Sequence, residues 1–390
     1  MAVLFWVQHL LGSGHLKRAA TLARAISARG VRVVLASGGT PAPWLVADGL
    51  ELVQLPPVRA SDLAFTSLLD EHDRAIDDRF RAGRRDRLLA LFQELRPRVV
   101  ITEMFPFGRR AFRFELLPLL EAAARARPRP WRLCSVRDVL VHKPDPEGYA
   151  WMLAQACAHY DRILAHTDPQ LIPFGLTFPH AAALGDRLVE TGYVTEPFAA
   201  ETAEGRGEVL VSAGGGRVGA KLLEVALEAR PLSHLRARPW RLIAGGNLAA
   251  DAFQALGVRM PRGVILERQR DDFPALLANS LLSISQAGYN TVLEGLRFQK
   301  PMVLVPFETA TETEQSTRAE RLVKLGLAEV VWESGLTPRT LAGAIDRAWR
   351  SRPDQALAVA LDGAARTADL VSALAATLPP DLTTAPESVR

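Results

Sequence analysis

The chain has 390 residues, of which 48% are hydrophobic and 23% are charged. This length exceeds that of one typical domain and predicts two, and the composition excludes a disordered or fibrous chain. The formal net charge is only +4, and basic residues are interleaved with acidic ones. A protein that binds nucleic acid is therefore not expected.

The compartment and the thiol chemistry also follow from the composition. No apolar segment reaches the roughly 18 residues that span a bilayer, and the first apolar run lacks a charged leader and a cleavage site. The two cysteines, Cys134 and Cys157, do not have the spacing of a metal site or a disulfide framework. We expect a cytoplasmic protein with reduced thiols and no bound metal.

The amino terminus predicts a strand, a glycine loop and a helix. Residues 3–7 are apolar, Gly12 and Gly14 follow, and small apolar side chains then recur at helical spacing. His15 lies where this helix begins, at the carboxyl end of the first strand, which is the edge at which open α/β sheets bind their ligands. We therefore expect His15 to take part in a site.

The rest of the first half alternates between strands and helices. Further strands are predicted at residues 31–36, 99–102, 132–136 and 162–165. Glu103 and Asp138 follow two of these strands and would reach the same edge of the sheet as His15. Five arginines lie within residues 79–87 and are predicted to form a solvated helix face, with contact to anionic lipid or to a phosphate-bearing acceptor as the alternative.

The second half repeats the pattern. Its strands are predicted at residues 209–212, 241–244, 264–266, 281–284, 302–305 and 329–331. Two Rossmann-like α/β domains follow from this alternation. The polar stretch between residues 191 and 207 predicts the boundary, so we assign residues 1–195 and 196–379 to the two domains. Residues 380–390 are expected to be a flexible tail.

A glycine-rich turn follows the first strand of the second half. Gly214, Gly215 and Gly216 precede Arg217, and their backbone N–H groups can surround a diphosphate. A dinucleotide enzyme is an alternative, because two of these glycines and Gly219 match its glycine spacing. The next strand does not end in the acidic residue that binds ribose in such enzymes, which argues against that alternative.

A second turn in this half, after residues 281–284, begins another helix. Gly288, Asn290 and Thr291 occupy the turn, which would bring backbone N–H groups and the positive end of the helix to a phosphate. Glu294 lies further along the helix and is placed to accept hydrogen bonds from ribose hydroxyls. The sequence therefore predicts nucleotide binding here.

The spacing of residues 283–294, followed by Glu314 and Gln315, resembles the donor-sugar signature of one enzyme family. This family is the B-type glycosyltransferases related to the enzyme that adds N-acetylglucosamine to the lipid precursor of peptidoglycan. The glycine loop ending in His15 also resembles the first turn of these enzymes, and residues 7–15 and 101–110 are similar to an uncharacterised bacterial group of predicted glycosyltransferases. The resemblance implies the GT-B fold, in which two Rossmann-like domains enclose a cleft.

The resemblance also implies roles for residues of the second domain. Glu294 is implied to bind the ribose, and Gln315 to contact the donor sugar. Arg270 lies where the family recognises the base through main-chain atoms. The nucleotide is implied to be uridine diphosphate.

Three positions depart from the peptidoglycan enzyme. Glu314 replaces the first of two glutamines and Arg318 replaces an asparagine, so the donor sugar need not be N-acetylglucosamine. The basic residue that the enzyme places on the donor phosphate is absent after Gly192. Phosphate binding is therefore expected to use backbone N–H groups or Arg217.

These features predict an inverting glycosyltransferase that moves a sugar from a nucleoside-diphosphate sugar to a hydroxyl acceptor without an obligatory metal or other cofactor. His15 is the first candidate for the base, oriented by Glu103 or Asp138, and Glu103 itself is the alternative base. A lipid-linked glycan as acceptor would bring the protein to the inner face of the membrane. The arrangement of His15 and Arg18 after the glycine loop also resembles the nucleotide-sugar hydrolase of pseudaminic acid synthesis. A non-catalytic nucleotide-sugar-binding protein is the third alternative.

Overall fold

The computed structural model describes residues 1–10, 14–42, 49–61, 67–140, 145–196, 202–214, 219–246, 248–307, 313–351 and 358–380. The helices and strands of the first half are β1 (Ala2–Val7), α1 (Gly14–Ser27), β2 (Arg32–Ser37), β3 (Glu51–Gln54), β4 (Arg59–Ala60), β5 (Leu68–Leu69), α2 (Asp78–Leu95), β6 (Val99–Glu103), α3 (Arg113–Arg125), β7 (Trp131–Arg137), α4 (Pro146–His159), β8 (Arg162–His166) and β9 (Leu188–Glu190). Those of the second half are β10 (Val209–Ser212), α5 (Ala220–Ala229), β11 (Trp240–Ile243), α6 (Ala250–Val258), β12 (Val264–Glu267), α7 (Phe273–Asn279), β13 (Leu282–Ser285), α8 (Tyr289–Arg297), β14 (Met302–Leu304), α9 (Glu314–Lys324), β15 (Glu329–Val330), α10 (Pro338–Arg350) and α11 (Gly363–Ala375).

Two parallel sheets form the framework of the described chain. The first has the strand order β3-β2-β1-β6-β7-β8-β9, and the second has the order β12-β11-β10-β13-β14-β15. The central strands β1, β6 and β10 are buried almost throughout because helices cover both faces of each sheet, which explains their continuous apolar sequences.

Each sheet has a point at which the strand order reverses. In the first sheet it lies between β1 and β6, and in the second between β10 and β13. Parallel sheets bind ligands in the crevice outside the carboxyl ends of such neighbouring strands. The candidate residues His15, Glu103, Gly214 and Gly288 lie at the carboxyl ends of these four strands or in the segments that follow them, so the topology places the predicted site residues at two crevices.

The two halves share apolar contacts. Val139, Leu171 and Tyr193 from the first half lie in one buried cluster with Ala287 and Leu293 from the second. The last helix, α11, packs against α1, and its Ala368 and Val371 lie in the hydrophobic cluster of the first sheet. The chain therefore returns to its first half at the end, although the boundary near residue 195 remains a prediction.

The edge strands and the last helix differ from the sequence expectations. The edge strands β3 and β9 were not predicted, since they are short and only partly buried. The apolar residues between 356 and 378 predict one long helix, whereas the helix that the structure describes there, α11, begins at Gly363 and ends at Ala375. Among the described residues, none of the helices combines the length and the apolar character needed to cross a bilayer.

The arginine-rich segment is corrected in part. It lies in α2, and Arg79 and Arg87 are exposed as expected, but Arg84 is completely buried. The Arg84 guanidinium donates to Glu115 Oε2 at 2.6 Å and to the Gly38 carbonyl at 2.9 Å. A buried arginine persists only when such partners satisfy it, so Arg84 holds α2 against the first sheet and is not part of a solvated face.

Candidate active site

His15 and Glu103 meet at the crevice of the first sheet. Glu103 is the last residue of β6 and has no exposed side-chain surface, whereas His15, in the first turn of α1, keeps 21% of its side chain exposed. His15 Nδ1 lies 2.8 Å from Glu103 Oε1. A carboxylate only accepts, so this bond places the proton on Nδ1 and the lone pair on Nε2, which has no hydrogen-bond partner among the described residues.

Arg18 completes this cluster from the same face of α1, three residues after His15. Its guanidinium is buried and forms an ion pair with Glu103 Oε1, and its Nη2 lies 3.3 Å from His15 Nδ1. Arg109 donates from Nε to the Gln8 carbonyl at 2.8 Å and is near enough to influence the charge of both His15 and Glu103. Cations thus surround the Glu103 carboxylate.

The electrostatics of the cluster favour a neutral histidine beside an ionised glutamate. Burial lowers the pKa of His15 to about 4, with help from Arg109 and Arg18, although Glu103 opposes the shift. Burial alone would raise the pKa of Glu103, but the charges of His15 and Arg18 outweigh it and lower that pKa to about 2. At neutral pH the Nε2 atom of His15 is therefore unprotonated and able to accept a proton.

Asp138 does not join His15. Its buried carboxylate binds Arg318 of α9, with Arg318 Nη2 3.1 Å from Asp138 Oδ2. Arg318 also donates to Glu314 Oε1 at 2.8 Å and to the Ala287 carbonyl at 2.7 Å. Asp138 therefore fixes α9 against the first half of the chain, and the orienting role predicted for it falls to Glu103 alone in this structure.

Glu314 is enclosed by arginines from both halves. Its Oε1 also forms an ion pair with Arg137, the last residue of β7. Burial would raise the pKa of Glu314, but Arg137 and Arg318 outweigh burial and lower it to about 2. The charge of His15 contributes to the same shift, so this ion-pair cluster lies within electrostatic reach of the His15 site.

The turn between β13 and α8 lies beside the cluster. Gly288 is the residue before α8, and Asn290 in the first turn of the helix is exposed, while Thr291 is partly buried. An added Cβ atom at Gly288 would meet nothing within 4 Å, so there is open space at the start of the helix. The guanidinium carbons of Arg137 and Arg318 lie 5.8 Å and 5.7 Å from the ring centre of Tyr289, the first residue of α8.

Glu294 is the unpaired carboxylate of the site. It is partly buried on α8, and its side chain has no hydrogen-bond or ion-pair partner in the part of the chain that the structure describes. Burial raises the pKa of Glu294 to about 7, and the nearby Glu196 adds to the shift. The positive charge of Lys17 in α1 opposes this shift of the pKa, so Glu294 lies close to the first half.

The remaining predicted residues are divided between described and undescribed segments. Gly14 begins α1, and Gly214 has a φ of +71° after β10, which glycine adopts without strain. Gln315 Oε1 accepts a hydrogen bond from the Phe307 N–H at 3.1 Å, and within the described part of the chain its amide N–H₂ group has no hydrogen-bond acceptor. The other four glycine-loop candidates lie outside the described residues, namely Gly12, Gly215, Gly216 and Arg217.

Arg270 has an internal role for its side chain. The guanidinium bonds both Asp272 oxygens at 2.8 Å and Glu267 Oε1 at 2.9 Å. This pairing raises the pKa of Arg270 through the bonds to Asp272 and Glu267. Its side chain is thus committed to the β12–α7 loop, which fits the expectation that recognition at this position uses main-chain atoms.

Sequence analysis missed the structural roles of Arg18 and Arg318. The spacing of Arg18 from His15 and of Arg318 from Glu314 places each pair on one face of a helix, which was an available signal. Their carboxylate partners Glu103 and Asp138 lie 85 and 180 residues away along the chain, and no local pattern indicates them.

The fold defines the class of protein. Two Rossmann-like halves whose crevices carry the candidate residues constitute the GT-B glycosyltransferase fold. CalG4, the calicheamicin glycosyltransferase, has a TM-score of 0.67 at 19% identity, covering 97% of this chain and 99% of that one. MurG from Acinetobacter baumannii has a TM-score of 0.61 at 15% identity, covering 95% and 99%. The predicted fold is confirmed.

Sequence comparison identifies the second half more closely. Residues 211–371 match the glycosyltransferase family 28 C-terminal domain, so the chain carries that domain, and the predicted resemblance is confirmed. The chain is 31% identical over 151 residues to the UDP-N-acetylglucosamine–N-acetylmuramyl-(pentapeptide) pyrophosphoryl-undecaprenol N-acetylglucosamine transferase of Geobacillus kaustophilus, covering 38% of this chain and 41% of the relative. It is 34% identical over 236 residues to the Chromobacterium violaceum protein of the same name, covering 55% and 65%. The matches thus span less than two thirds of either relative.

Proposed function

We propose that the protein is an inverting glycosyltransferase that transfers a sugar from a nucleoside-diphosphate sugar to a hydroxyl acceptor. The observation that carries the proposal is the bond between His15 Nδ1 and the buried Glu103, which leaves Nε2 as a free acceptor at the crevice of the first sheet. A base in this position fits a reaction in which a hydroxyl group must lose its proton.

In the proposed reaction, the first half activates the acceptor hydroxyl and the second half binds the donor. The acceptor oxygen attacks the anomeric carbon, and its proton passes to His15 Nε2. The bond from that carbon to the diphosphate oxygen breaks, and its electron pair stays on the diphosphate. Glu103 stabilises the imidazolium that forms, because its pKa of about 2 keeps it ionised.

The second half supplies the donor site in this proposal. The start of α8 offers backbone N–H groups and a positive helix end to the diphosphate, and Glu294 accepts hydrogen bonds from the ribose. Uridine is favoured as the base because the relatives are named as UDP-N-acetylglucosamine transferases. The arginines and the helix end provide positive charge for the leaving group, so the proposed mechanism assigns no step to a metal.

The acceptor is proposed to be a lipid-linked glycan. The names of the relatives specify a pyrophosphoryl-undecaprenol acceptor, and this similarity is what supports the proposal. The protein would then act at the cytoplasmic face of the membrane.

Donor cleavage with and without lipid extracts from bacterial cells tests the proposal. Thermal-shift screening against four nucleoside diphosphates first identifies the nucleotide, since a ligand at a hundred times its Kd adds about 2.7 kcal/mol of stability. We expect cleavage to depend on the extract and to yield a glycosylated lipid, with the His15→Ala variant as the inactive control. Release of free sugar as the only product, independent of any extract, would instead identify a nucleotide-sugar hydrolase. Nucleotide binding without cleavage under any condition would indicate a binding protein.

A further inference from the structure

Arg137 lies where the two halves meet. It ends β7 in the first half, and its guanidinium pairs with Glu314 of α9 in the second. The guanidinium carbon also lies 5.8 Å from the ring centre of Tyr289, the first residue of α8. A cation from the first half therefore stands beside the helix start that is proposed to receive the donor phosphates.

The hydrogen-bonding capacity of Arg137 is only partly used. Arg137 Nε is buried and has no hydrogen-bond partner in the described structure, because Asp138 Oδ1 at 3.8 Å is too distant for a hydrogen bond. A buried donor without a partner is destabilising. A ligand oxygen that reached this guanidinium would remove that cost.

Arg318 is the contrasting arginine of the same cluster. It is almost completely buried and binds Asp138, Glu314 and the Ala287 carbonyl. Its donors are therefore committed to the protein. Glu314 remains bonded to Arg318 even when it is separated from Arg137, so the second half can release Arg137 without leaving a buried carboxylate unpaired.

We propose that Arg137 binds the diphosphate of the donor, exchanging Glu314 for a phosphate oxygen. The inference rests on the proposed function and extends it by naming the residue that replaces the basic side chain missing after Gly192. In the free protein Glu314 occupies the place of the phosphate. When the bond to the anomeric carbon breaks, Arg137 is next to the oxygen that gains the negative charge.

The exchange predicts opposite effects for two charge-removing variants. Arg137→Gln should weaken the binding of the nucleoside diphosphate about tenfold or more, since a hydrogen bond to a charged group is lost. Glu314→Gln should strengthen it about threefold, because a competing anion is removed. Arg137→Lys should recover part of the affinity as a point charge. None of these changes should alter the affinity for the corresponding nucleoside, which has no phosphate.

Isothermal titration calorimetry measures these affinities with the nucleoside diphosphate that binds in the four-member screen. Arg339→Gln, which removes an exposed arginine on α10, is the matched control and should bind like wild type, and melting temperatures show whether each variant is folded. If Arg137→Gln binds the diphosphate like wild type, or if Glu314→Gln binds it more weakly, the exchange is wrong while the proposed function stands. If wild type binds none of the four diphosphates, the proposed function and the exchange both fail.

Discussion

Glu103 lies in the first half of the molecule and Glu294 in the second, and the two carboxylates differ in whether other side chains pair with them directly. Glu103 is fully buried and bonded to His15 and Arg18, which lower its pKa to about 2. Glu294 is partly buried without a partner, and burial raises its pKa to about 7. Burial acts in the same direction on both groups. The outcome therefore depends on direct pairing, which Glu103 has with His15 and Arg18, whereas Lys17 and Arg297 act on Glu294 only from a distance.

The difference indicates which of the two carboxylates already has its binding partners in the free protein. The cost of burying Glu103 is offset by its own neighbours, so its charge can serve to position and stabilise His15. The cost of burying Glu294 is not offset within the described chain, and hydrogen-bond donors from a ligand would offset it. A paired carboxylate thus suits a positioning role, and an unpaired one suits a binding role.

The largest expected effect is that of His15→Ala. Turnover should fall by about 10²–10⁴-fold, because a general base contributes that much to the rate, while the Kd for the nucleotide should stay unchanged. Steady-state kinetics and calorimetry measure the two quantities, and His72→Ala, which removes an exposed histidine, is the control. Wild-type turnover in His15→Ala would show that His15 is not the base, and Glu103 would then become the candidate base.

Glu103→Gln should lower turnover on the order of 10²-fold. The amide keeps the shape and the acceptor oxygen but removes the charge that stabilises protonated His15, while Arg18 and Arg109 remain as cations. Breaking a buried ion pair should also reduce the free energy of unfolding by about 3–5 kcal/mol, which chemical denaturation measures. A variant with normal turnover and reduced stability would show that the pairing is only structural.

Glu294→Gln should have the opposite effect on stability. The folded pKa of about 7 exceeds the ordinary value of 4.5, so ionisation destabilises the folded protein as pH rises from about 4.5 to 7. At pH 8 the variant should be more stable than wild type by on the order of 1 kcal/mol, and the difference should vanish near pH 4. Nucleotide affinity should nevertheless fall about tenfold. Equal affinity for the nucleotide would remove Glu294 from the site.

The smallest perturbation is a titration of the unmodified protein. The ring of His15 should titrate in NMR spectra with a midpoint near pH 4, well below the ordinary 6.5, because burial disfavours its charged form. The signal is identified by its absence from the spectrum of His15→Ala. A midpoint at or above 6.5 would mean that Glu103 outweighs burial, and His15 would then be charged at neutral pH.

The sequence was sufficient to place His15, Glu103 and Asp138 at strand ends. Glu103 and Asp138 come at the ends of the apolar runs that become β6 and β7, and His15 follows the apolar run of β1 after a glycine loop. The sequence was not sufficient to decide which carboxylate meets His15. The order β1-β6-β7 makes β6 the neighbour of β1, and that order depends on contacts across the whole sheet. Asp138, one strand further away, meets Arg318 instead.

The burial of charged residues was harder to predict than that of apolar residues, because it also depends on contacts between elements that are distant in the sequence. Arg84 lies in a run of arginines and aspartates that indicates a solvated helix, yet its partner Glu115 lies in α3. Apolar burial leaves a periodic signal within one element, whereas a buried ion pair joins two elements and leaves none.

The packing of α11 on α1 has a consequence for synthesis of the chain. Ala368 and Val371 complete the hydrophobic cluster around Leu16 and Ala19, and Arg29 joins Asp369 at 2.9 Å. During translation the part of the apolar surface of α1 that α11 covers therefore remains exposed until α11 has left the ribosome. Ribosome-bound chains that lack α11 should be more easily cleaved by protease near α1, and a synthetic peptide of residues 358–380 should restore their protection.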